Sequence, residues 1–287
     1  EQPRSLVAMK NPPGVHSAGS GQGEHQRTRF VAFHGAYHGD TVGAMSVSSR
    51  GVFNQVFEPM LFDVDFLPYG DAGAVKNYFQ TQGNEVVAAI VEPLIQGAGG
   101  MVFSSPEFVR AIHDSCRDSG AYFVADEVMT GWGRTGTLFA LDQAGVGADI
   151  LCLSKGITGG TLPLGITVAT QDIYEIFLGP DKRNAFLHGH SYTANPIACA
   201  AANATLEIFE TEPIMDRVGA MERIYGEWLP RFASVDWVSG ERARGGVFAF
   251  ELDGSEGGYM DPLGHRVAAR VLEEGIYIRP LGNTVYL

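Results

Sequence analysis

The sequence has few cysteines and no long hydrophobic run. Cys116, Cys152 and Cys199 are the three cysteines among 287 residues, widely spaced and in apolar contexts. Such an odd, scattered set predicts reduced thiols in an intracellular protein rather than a disulfide framework. The longest apolar runs, such as Val86–Val91, are far shorter than the roughly 20 residues that cross a bilayer. No basic-then-apolar leader opens the chain, so we expect a cytoplasmic protein, or a mitochondrial one in a eukaryote, without a membrane partner.

Basic residues are also scarce. The chain carries 20 Lys and Arg against 33 Asp and Glu, which gives a formal net charge of −13. This charge repels nucleic-acid backbones, so we expect no nucleic-acid partner and a local basic patch for any anionic ligand. Hydrophobic residues reach 45%, which excludes a disordered chain. The 37 glycines are clustered, which indicates loops where the backbone approaches a ligand.

Two nucleotide-binding motifs and a zinc motif are missing. The sequence contains no G-x-x-x-x-G-K-[ST] segment, so the interpretation as a nucleotide hydrolase lacks its main sequence support. QGAGG (96–100) and GWGRTG (131–136) do not place G-x-G-x-x-G between a strand and a helix, so we expect no nicotinamide cofactor. Four histidines have metal-like spacings, namely His34, His38, His188 and His190. No cysteine or carboxylate cluster completes a zinc set around them, so we expect no metal.

From Arg29 onward, short apolar runs alternate with helical patterns, which predicts βαβ units and a largely parallel sheet. Three buried strands are predicted, over Val86–Glu92, Ala121–Ala125 and Ile150–Ser154. A helix over Ser105–Ser119 is predicted to begin at the cap Ser105 and to end at Gly120. Further helices are predicted over Leu6–Lys10, Asn195–Phe209, Met215–Trp228 and Leu263–Glu274, further strands over Val247–Leu252 and Ile276–Arg279, and a turn over Pro280–Asn283 into Thr284–Leu287.

Charged residues follow two of the predicted strands where each strand ends. Asp126 comes directly after one strand and Lys155 after the next. Open α/β sheets bind ligands outside the carboxyl ends of their strands, so both are candidates for one site. A partly desolvated lysine can form a Schiff base, and a carboxylate can keep a pyridine nitrogen protonated. Taken singly, a solvent-facing lysine and a helix-capping or metal-binding aspartate stay open as alternatives.

Other residues add weaker signals. Tyr37, on a glycine-flanked loop, can stack on a planar cofactor, although a core aromatic is an equal interpretation. Gly189, His190 and Ser191 offer backbone N–H groups and a hydroxyl to a phosphate. The guanidinium of Arg279 can clamp a substrate carboxylate, and a surface ion pair is its alternative.

Taken together, five motifs resemble the class III aminotransferases, which are pyridoxal 5'-phosphate enzymes of fold type I. The motifs occur in the family's order: YHGDT (37–41), EP…QGAGG (92–100), DEVMTGWGRTG (126–136), LSKGITGG (153–160) and HGHSYTANPIACAAANA (188–204). The resemblance implies an α/β fold with a mostly parallel sheet flanked by helices in a large domain, residues 1–210, incomplete at its start. A smaller α+β domain, residues 211–287, would follow, cut short. The family's glycine/serine phosphate loop and N-terminal substrate-contact segment have no counterpart in this sequence.

The resemblance also implies roles for individual residues. Lys155 would bind the cofactor covalently and move the proton, and Asp126 would pair with the pyridine nitrogen. Val128 would pack against the cofactor ring, and Tyr37 would lie over it and touch the substrate.

Four further residues would complete the site across a homodimer with shared active sites. Gly189 would line the substrate pocket, while His190 and Ser191 would reach the phosphate bound to the neighbouring subunit. Arg279 would hold the carboxylate of either substrate.

Within the family, four features resemble members that carry out a step of biotin synthesis: AMSV after HGDT, HGHSY, the ACAAANA helix and RPLGN…YL (279–287). The resemblance therefore implies transfer of an amino group from S-adenosylmethionine to 8-amino-7-oxononanoate, giving 7,8-diaminononanoate. Two alternatives stay open: another ω-aminotransferase acting on a diamine or β-amino acid with a 2-oxo acid, and a non-catalytic dimerisation domain of the same fold.

Overall fold

The computed structural model describes residues 27–254 and 259–287, so the predicted helix Leu6–Lys10 lies outside the described residues. In chain order the described strands are β1 (Arg29–Phe33), β2 (Asp65–Leu67), β3 (Val86–Val91), β4 (Ile95–Gln96), β5 (Val102–Phe103), β6 (Tyr122–Asp126), β7 (Ile150–Leu153), β8 (Ile166–Ala169), β9 (Val238–Arg244), β10 (Val247–Leu252) and β11 (Thr284–Tyr286). The α-helices are α1 (Val42–Val47), α2 (Ala72–Gln82), α3 (Pro106–Ser119), α4 (Leu141–Ala144), α5 (Gln171–Ile176), α6 (Pro196–Thr211), α7 (Ile214–Phe232) and α8 (Leu263–Glu273).

A six-stranded sheet with the order β2-β1-β3-β6-β7-β8 forms the centre of the first part of the chain. The first five of these strands run parallel, and β8 runs antiparallel to β7. The prediction of a largely parallel sheet is therefore confirmed. The three strands predicted from the sequence are its β3, β6 and β7, with ends within one residue of the prediction; β7 is less buried than predicted, because only Leu153 of its four residues is buried.

Helix α3 packs on β3 and β6 and against α2. Ser105 caps it by accepting a hydrogen bond from the backbone N–H of Phe108, and Gly120 ends it in the left-handed conformation, with φ of 67°. Its apolar stripe, Phe108, Val109, Ile112 and Cys116, is fully buried. Helix and strand thus form as the apolar spacing predicts, because the stripe covers the sheet.

A second, antiparallel sheet with the order β11-β10-β9 lies in the C-terminal part. It has its own apolar cluster, in which Phe248 and Phe250 of β10 contact Phe232 of α7. Helix α6 begins at the cap Asn195 as predicted, and α7 extends four residues beyond the predicted Trp228.

Two arginines of β9 connect this sheet to the hairpin β4–β5. Arg242 donates from Nε to the carbonyl oxygen of Met101 and from Nη2 to that of Gly100, both at 2.7 Å. Arg244 donates to the carbonyl oxygen of Ser104 at 2.8 Å. The three-stranded sheet is therefore joined to the β4–β5 hairpin through arginine side chains of β9 and main-chain oxygens in the hairpin turn and just after β5.

The predicted strand Ile276–Arg279 is wrong. These residues form no strand in the described part of the chain, and Ile276 and Tyr277 are exposed. The segment leaves α8 through a turn in which Ile276 N–H donates to the carbonyl oxygen of Val271. Strands β9 and β11 pair with β10, and Ile276–Arg279 pairs with none of the three, because a high β propensity does not by itself supply a partner strand.

Candidate active site

Strand pairing brings Asp126 and the start of the Lys155 loop to the same edge of the six-stranded sheet. Asp126, the last residue of β6, lies opposite Cys152 of β7 in the parallel register. The next backbone N–H, that of Glu127, donates to the carbonyl oxygen of Cys152 at 3.0 Å. Lys155 follows three residues after Cys152, at the end of β7. Both charged groups thus lie at the carboxyl ends of neighbouring strands, where such sheets bind ligands.

A cavity of about 410 Å³ at this edge brings three predicted site residues together: Tyr37, Lys155 and Arg279. Arg134 adds a third cationic side chain to its wall, after Lys155 and Arg279, and Met129 and Val247 are among its apolar residues. Its size falls in the range of small-molecule sites. Lys155 itself is exposed rather than desolvated within the described structure, although Ile157 and Thr158 of the same loop are buried.

The carboxylate of Asp126 is buried and fixed by two partners. Nδ1 of His38 lies 2.7 Å from its Oδ2, and the backbone N–H of Val128 donates to its Oδ1 at 3.1 Å. The His38 and Asp126 side chains are 2% and 8% exposed. Among the described residues no partner contacts His38 Nε2, which is also buried. The spacing of His38 in the sequence predicts only a metal ligand, and the one sequence signal for its contact with Asp126 is its place beside Tyr37 in YHGDT.

Tyr37 is held by two acidic residues that the sequence analysis did not identify. Its hydroxyl donates to Asp40 Oδ1 at 2.7 Å, and its backbone N–H donates to Glu92 Oε2 at 3.1 Å. Burial, together with the Asp40 carboxylate, raises the pKa of Tyr37 to about 12. Its hydroxyl therefore stays protonated at neutral pH and acts as a donor.

Glu92 joins the Tyr37 loop to the QGAGG loop. It is 5% exposed and accepts hydrogen bonds from the backbone N–H groups of Tyr37 and Gly97. Burial raises its pKa from 4.5 to about 7. The folded protein therefore binds this proton more tightly than the unfolded chain, so the contribution to stability is present at low pH and is lost as the pH rises towards 7.

The unfolding free energy of the unsubstituted protein is expected to fall between pH 5 and 8 as Glu92 ionises. Glu92→Gln removes this ionisation, so its unfolding free energy should fall less over the same range, by up to about 3 kcal/mol. Urea unfolding at several pH values measures it. Glu207→Gln, at an exposed position of α6, is the control and should leave the pH slope unchanged. Equal slopes for Glu92→Gln and the unsubstituted protein would show that Glu92 does not titrate in this range.

The predicted phosphate residues lie elsewhere in the described chain. Gly189, His190 and Ser191 are exposed and do not line the cavity around Lys155. His190 is involved only in local contacts, since its N–H donates to Thr193 Oγ1 and its Nδ1 accepts from Tyr192 N–H. One chain therefore brings Tyr37, Lys155 and Arg279 to one cavity, with Asp126 at the same sheet edge and Val128 bonded to it, but this segment lies elsewhere.

The described residues contain no group of three His, Cys, Asp or Glu side chains that could hold a metal ion. His38 contacts Asp126, whereas His188 stacks on Phe186. Across residues 27–254 and 259–287, every helix is too short or too polar to span a membrane.

Comparison with known proteins gives consistent matches along most of the chain. The family model described as "Aminotransferase class-III" matches residues 12–287. The adenosylmethionine-8-amino-7-oxononanoate aminotransferase of Synechococcus elongatus is 46% identical over 278 residues, covering 92% of this chain and 65% of the relative. This chain thus spans slightly less than two thirds of that protein's length.

Solved structures agree with this match. The Methanocaldococcus jannaschii protein of the same name has a TM-score of 0.86 at 36% identity, covering 92% of this chain and 64% of the other. An amine transaminase from an uncultivated Pseudomonas species, in a form with pyridoxal phosphate bound, has a TM-score of 0.80 at 30% identity, covering 91% and 64%. The expected fold type I architecture is thereby confirmed. With a family model covering nearly the whole sequence and relatives of this identity, the chain belongs to the class III aminotransferases.

Proposed function

We propose that this chain forms the active site of a pyridoxal-phosphate-dependent aminotransferase that transfers an amino group from S-adenosylmethionine to 8-amino-7-oxononanoate in biotin synthesis. The observation that carries the proposal is the cavity that joins Lys155, Tyr37 and Arg279 beside the buried Asp126. The names of the Synechococcus and Methanocaldococcus relatives support this choice of substrates.

The residues present fit the cofactor. The cavity offers an amine and an aromatic ring on its wall, and a buried carboxylate that a ring N–H can pair with lies at the same sheet edge. When bound, pyridoxal phosphate supplies an aldehyde that captures amines and a ring that accepts the electron pair of a broken C–H bond.

Each residue of the chain then has a defined task. The carboxylate of Asp126 keeps the ring nitrogen protonated, while His38 and the N–H of Val128 hold that carboxylate in place. Nζ of Lys155 accepts and returns the proton that moves during transfer. Tyr37, fixed by Asp40 and Glu92, lies over the site.

Arg279 is proposed to bind the carboxylate that both substrates carry. It lies on the cavity wall with a planar guanidinium suited to a bidentate contact. Met101, Met129, Val247 and Leu281 give the same cavity apolar surface, which suits the methylene chain of the oxononanoate.

We also propose a homodimer in which Gly189, His190 and Ser191 complete the partner's site. The segment that carries them is rich in exposed apolar side chains, with Leu187 89% and Tyr192 74% exposed, as an interface would require. Light scattering of the full-length protein should give the mass of two chains, and a monomeric mass would contradict the proposal.

The proposed organisation is a large domain of residues 1–210 and a small domain of residues 211–287. The six-stranded sheet ends at Ala169 and the three-stranded sheet begins at Val238, on either side of this boundary.

The free cysteines fit the cytoplasmic location that we propose.

The test is a half-reaction with the full-length protein loaded with pyridoxal phosphate. Single-turnover absorbance changes are recorded with S-adenosylmethionine, alanine, lysine, ornithine and glutamate as separate donors. We expect S-adenosylmethionine to react at least about 10-fold faster than the others at equal concentration. A preference for ornithine or lysine would instead identify another ω-aminotransferase, and failure to bind the cofactor would indicate a non-catalytic domain.

A further inference from the structure

The main chain at Lys155 has an unusual conformation. Its φ of 48° lies in the left-handed region, which side chains other than glycine rarely adopt. Ser154 before it is extended, with φ of −163° and ψ of −155°. Such a strained residue persists only where its surroundings hold it, so a contact next to Lys155 must fix this backbone.

That contact is the indole of Trp132 against Gly156. A Cβ atom at position 156 would lie 2.8 Å from Cδ1, 2.9 Å from Cβ and 3.0 Å from Cγ of Trp132. Real Cβ atoms do not approach this closely, so only glycine lets the ring lie directly on the backbone that follows Lys155.

Trp132 is itself held by packing rather than by a hydrogen bond. Its ring lies 5.7 Å from that of Phe139 and 5.9 Å from that of Phe209 on α6. Its Nε1 is buried and contacts no acceptor in the described part of the chain. Packing against the two phenylalanine rings therefore fixes the position of the indole, and the indole contacts the Lys155 loop at Gly156.

We propose that Trp132 is a positioning residue for Lys155: by packing on Gly156 it holds Lys155 in the left-handed conformation and so directs its amine into the cavity. This inference rests on the proposed function for its catalytic meaning. It assigns a role to the tryptophan of GWGRTG, which contacts the lysine loop but does not line the cavity. Without the indole, Lys155 is free to relax to the right-handed region, which turns its side chain away.

The experiment compares Trp132→Ala and Trp132→Phe in the full-length protein. Three quantities are measured: kcat, the pH midpoint of the visible absorbance of the bound cofactor, and the acetylation rate of Lys155 in cofactor-free protein, by mass spectrometry relative to Lys182. We expect Trp132→Ala to lower kcat by about 10- to 100-fold, because a displacement of about 1 Å costs this much. We also expect it to shift the midpoint and change the Lys155 rate, with Trp132→Phe retaining most of each property. Trp237→Ala, at a 58% exposed tryptophan, is the control and should change none of them.

Gly156→Ala tests the same contact from the other side. It should move all three quantities in the same direction as Trp132→Ala, since its Cβ pushes the ring and the loop apart. In the double variant Trp132→Ala/Gly156→Ala, two of the three atoms that the new Cβ would meet, Cδ1 and Cγ of Trp132, are gone. The fold-loss of kcat in the double variant should therefore be smaller than the product of the two single losses. Should Trp132→Ala fail to fold, Gly156→Ala and Trp132→Phe decide the matter.

Wild-type values for Trp132→Ala in all three measurements, or a strictly multiplicative double variant, would overturn the inference. A wild-type protein that binds no pyridoxal phosphate would instead overturn the proposed function. In that event the acetylation rate of Lys155 in the variants still tests whether Trp132 positions it.

Discussion

Lys155→Ala is expected to abolish the absorbance band of lysine-linked pyridoxal phosphate and to lower kcat by about 10⁴-fold or more. Lys155 is the one lysine on the wall of the described cavity, so no neighbouring amine there can replace it. The variant should keep its fold, because the side chain is exposed and its removal leaves no cavity in the core. Absorbance spectra and steady-state rates of the full-length protein measure both effects.

Lys182→Ala is the matched control for this variant. Lys182 is likewise exposed and follows a short loop, but it lies away from the cavity lining. Its replacement should leave both spectrum and rate unchanged. Retention of the absorbance band together with turnover in Lys155→Ala would contradict the assignment of Lys155.

Asp126→Asn is expected to lower kcat by about 10²- to 10⁴-fold while the protein still binds the cofactor. The substitution preserves shape and an oxygen that can accept from Val128 N–H, but it removes the negative charge that keeps a ring nitrogen protonated. His38→Gln should cause a smaller loss, because it leaves the charge and removes only the side chain that holds it. Rates and the melting temperature are measured for each variant.

Glu127, the acidic residue next to Asp126 in the sequence, supplies the control for Asp126→Asn. Glu127 is fully buried, but its carboxylate accepts from Thr130 Oγ1 and from the N–H groups of Ala140 and Leu141, away from Asp126. Glu127→Gln should therefore lower the melting temperature and leave the rate per active site nearly unchanged. Equal kinetic losses for Asp126→Asn and Glu127→Gln would show that the Asp126 charge has no specific role.

The elements that position Asp126 and Lys155 could be predicted because each depends on a local pattern. The apolar runs of β6 and β7 mark the strands, and Asp126 and Lys155 stand where these runs stop, Lys155 after one intervening serine. The strand predicted at Ile276–Arg279 was wrong for the opposite reason: its residues suit a sheet, but whether an edge is free depends on β11, which lies further along the chain.

The partners of the site residues could not be read from the sequence. His38 meets Asp126 across 88 residues, and Glu92 meets Tyr37 across 55, so no local spacing links either pair. The segment containing Gly189, His190 and Ser191 stays a prediction for a related reason. These residues do not line the cavity of their own chain, so the described geometry does not test their proposed role in a partner's site.

The arginines that join the two sheets have a consequence for how this region can vary. Arg242 and Arg244 bind carbonyl oxygens of Gly100, Met101 and Ser104, and every amino acid supplies such an oxygen. Substitutions of Met101 or Ser104 therefore need not weaken these contacts, whereas Gly100 is restricted by its φ of 107°. A single-residue insertion or deletion would displace the oxygens from the guanidinium groups, so natural variation between Gly100 and Ser104 should conserve the length of the segment.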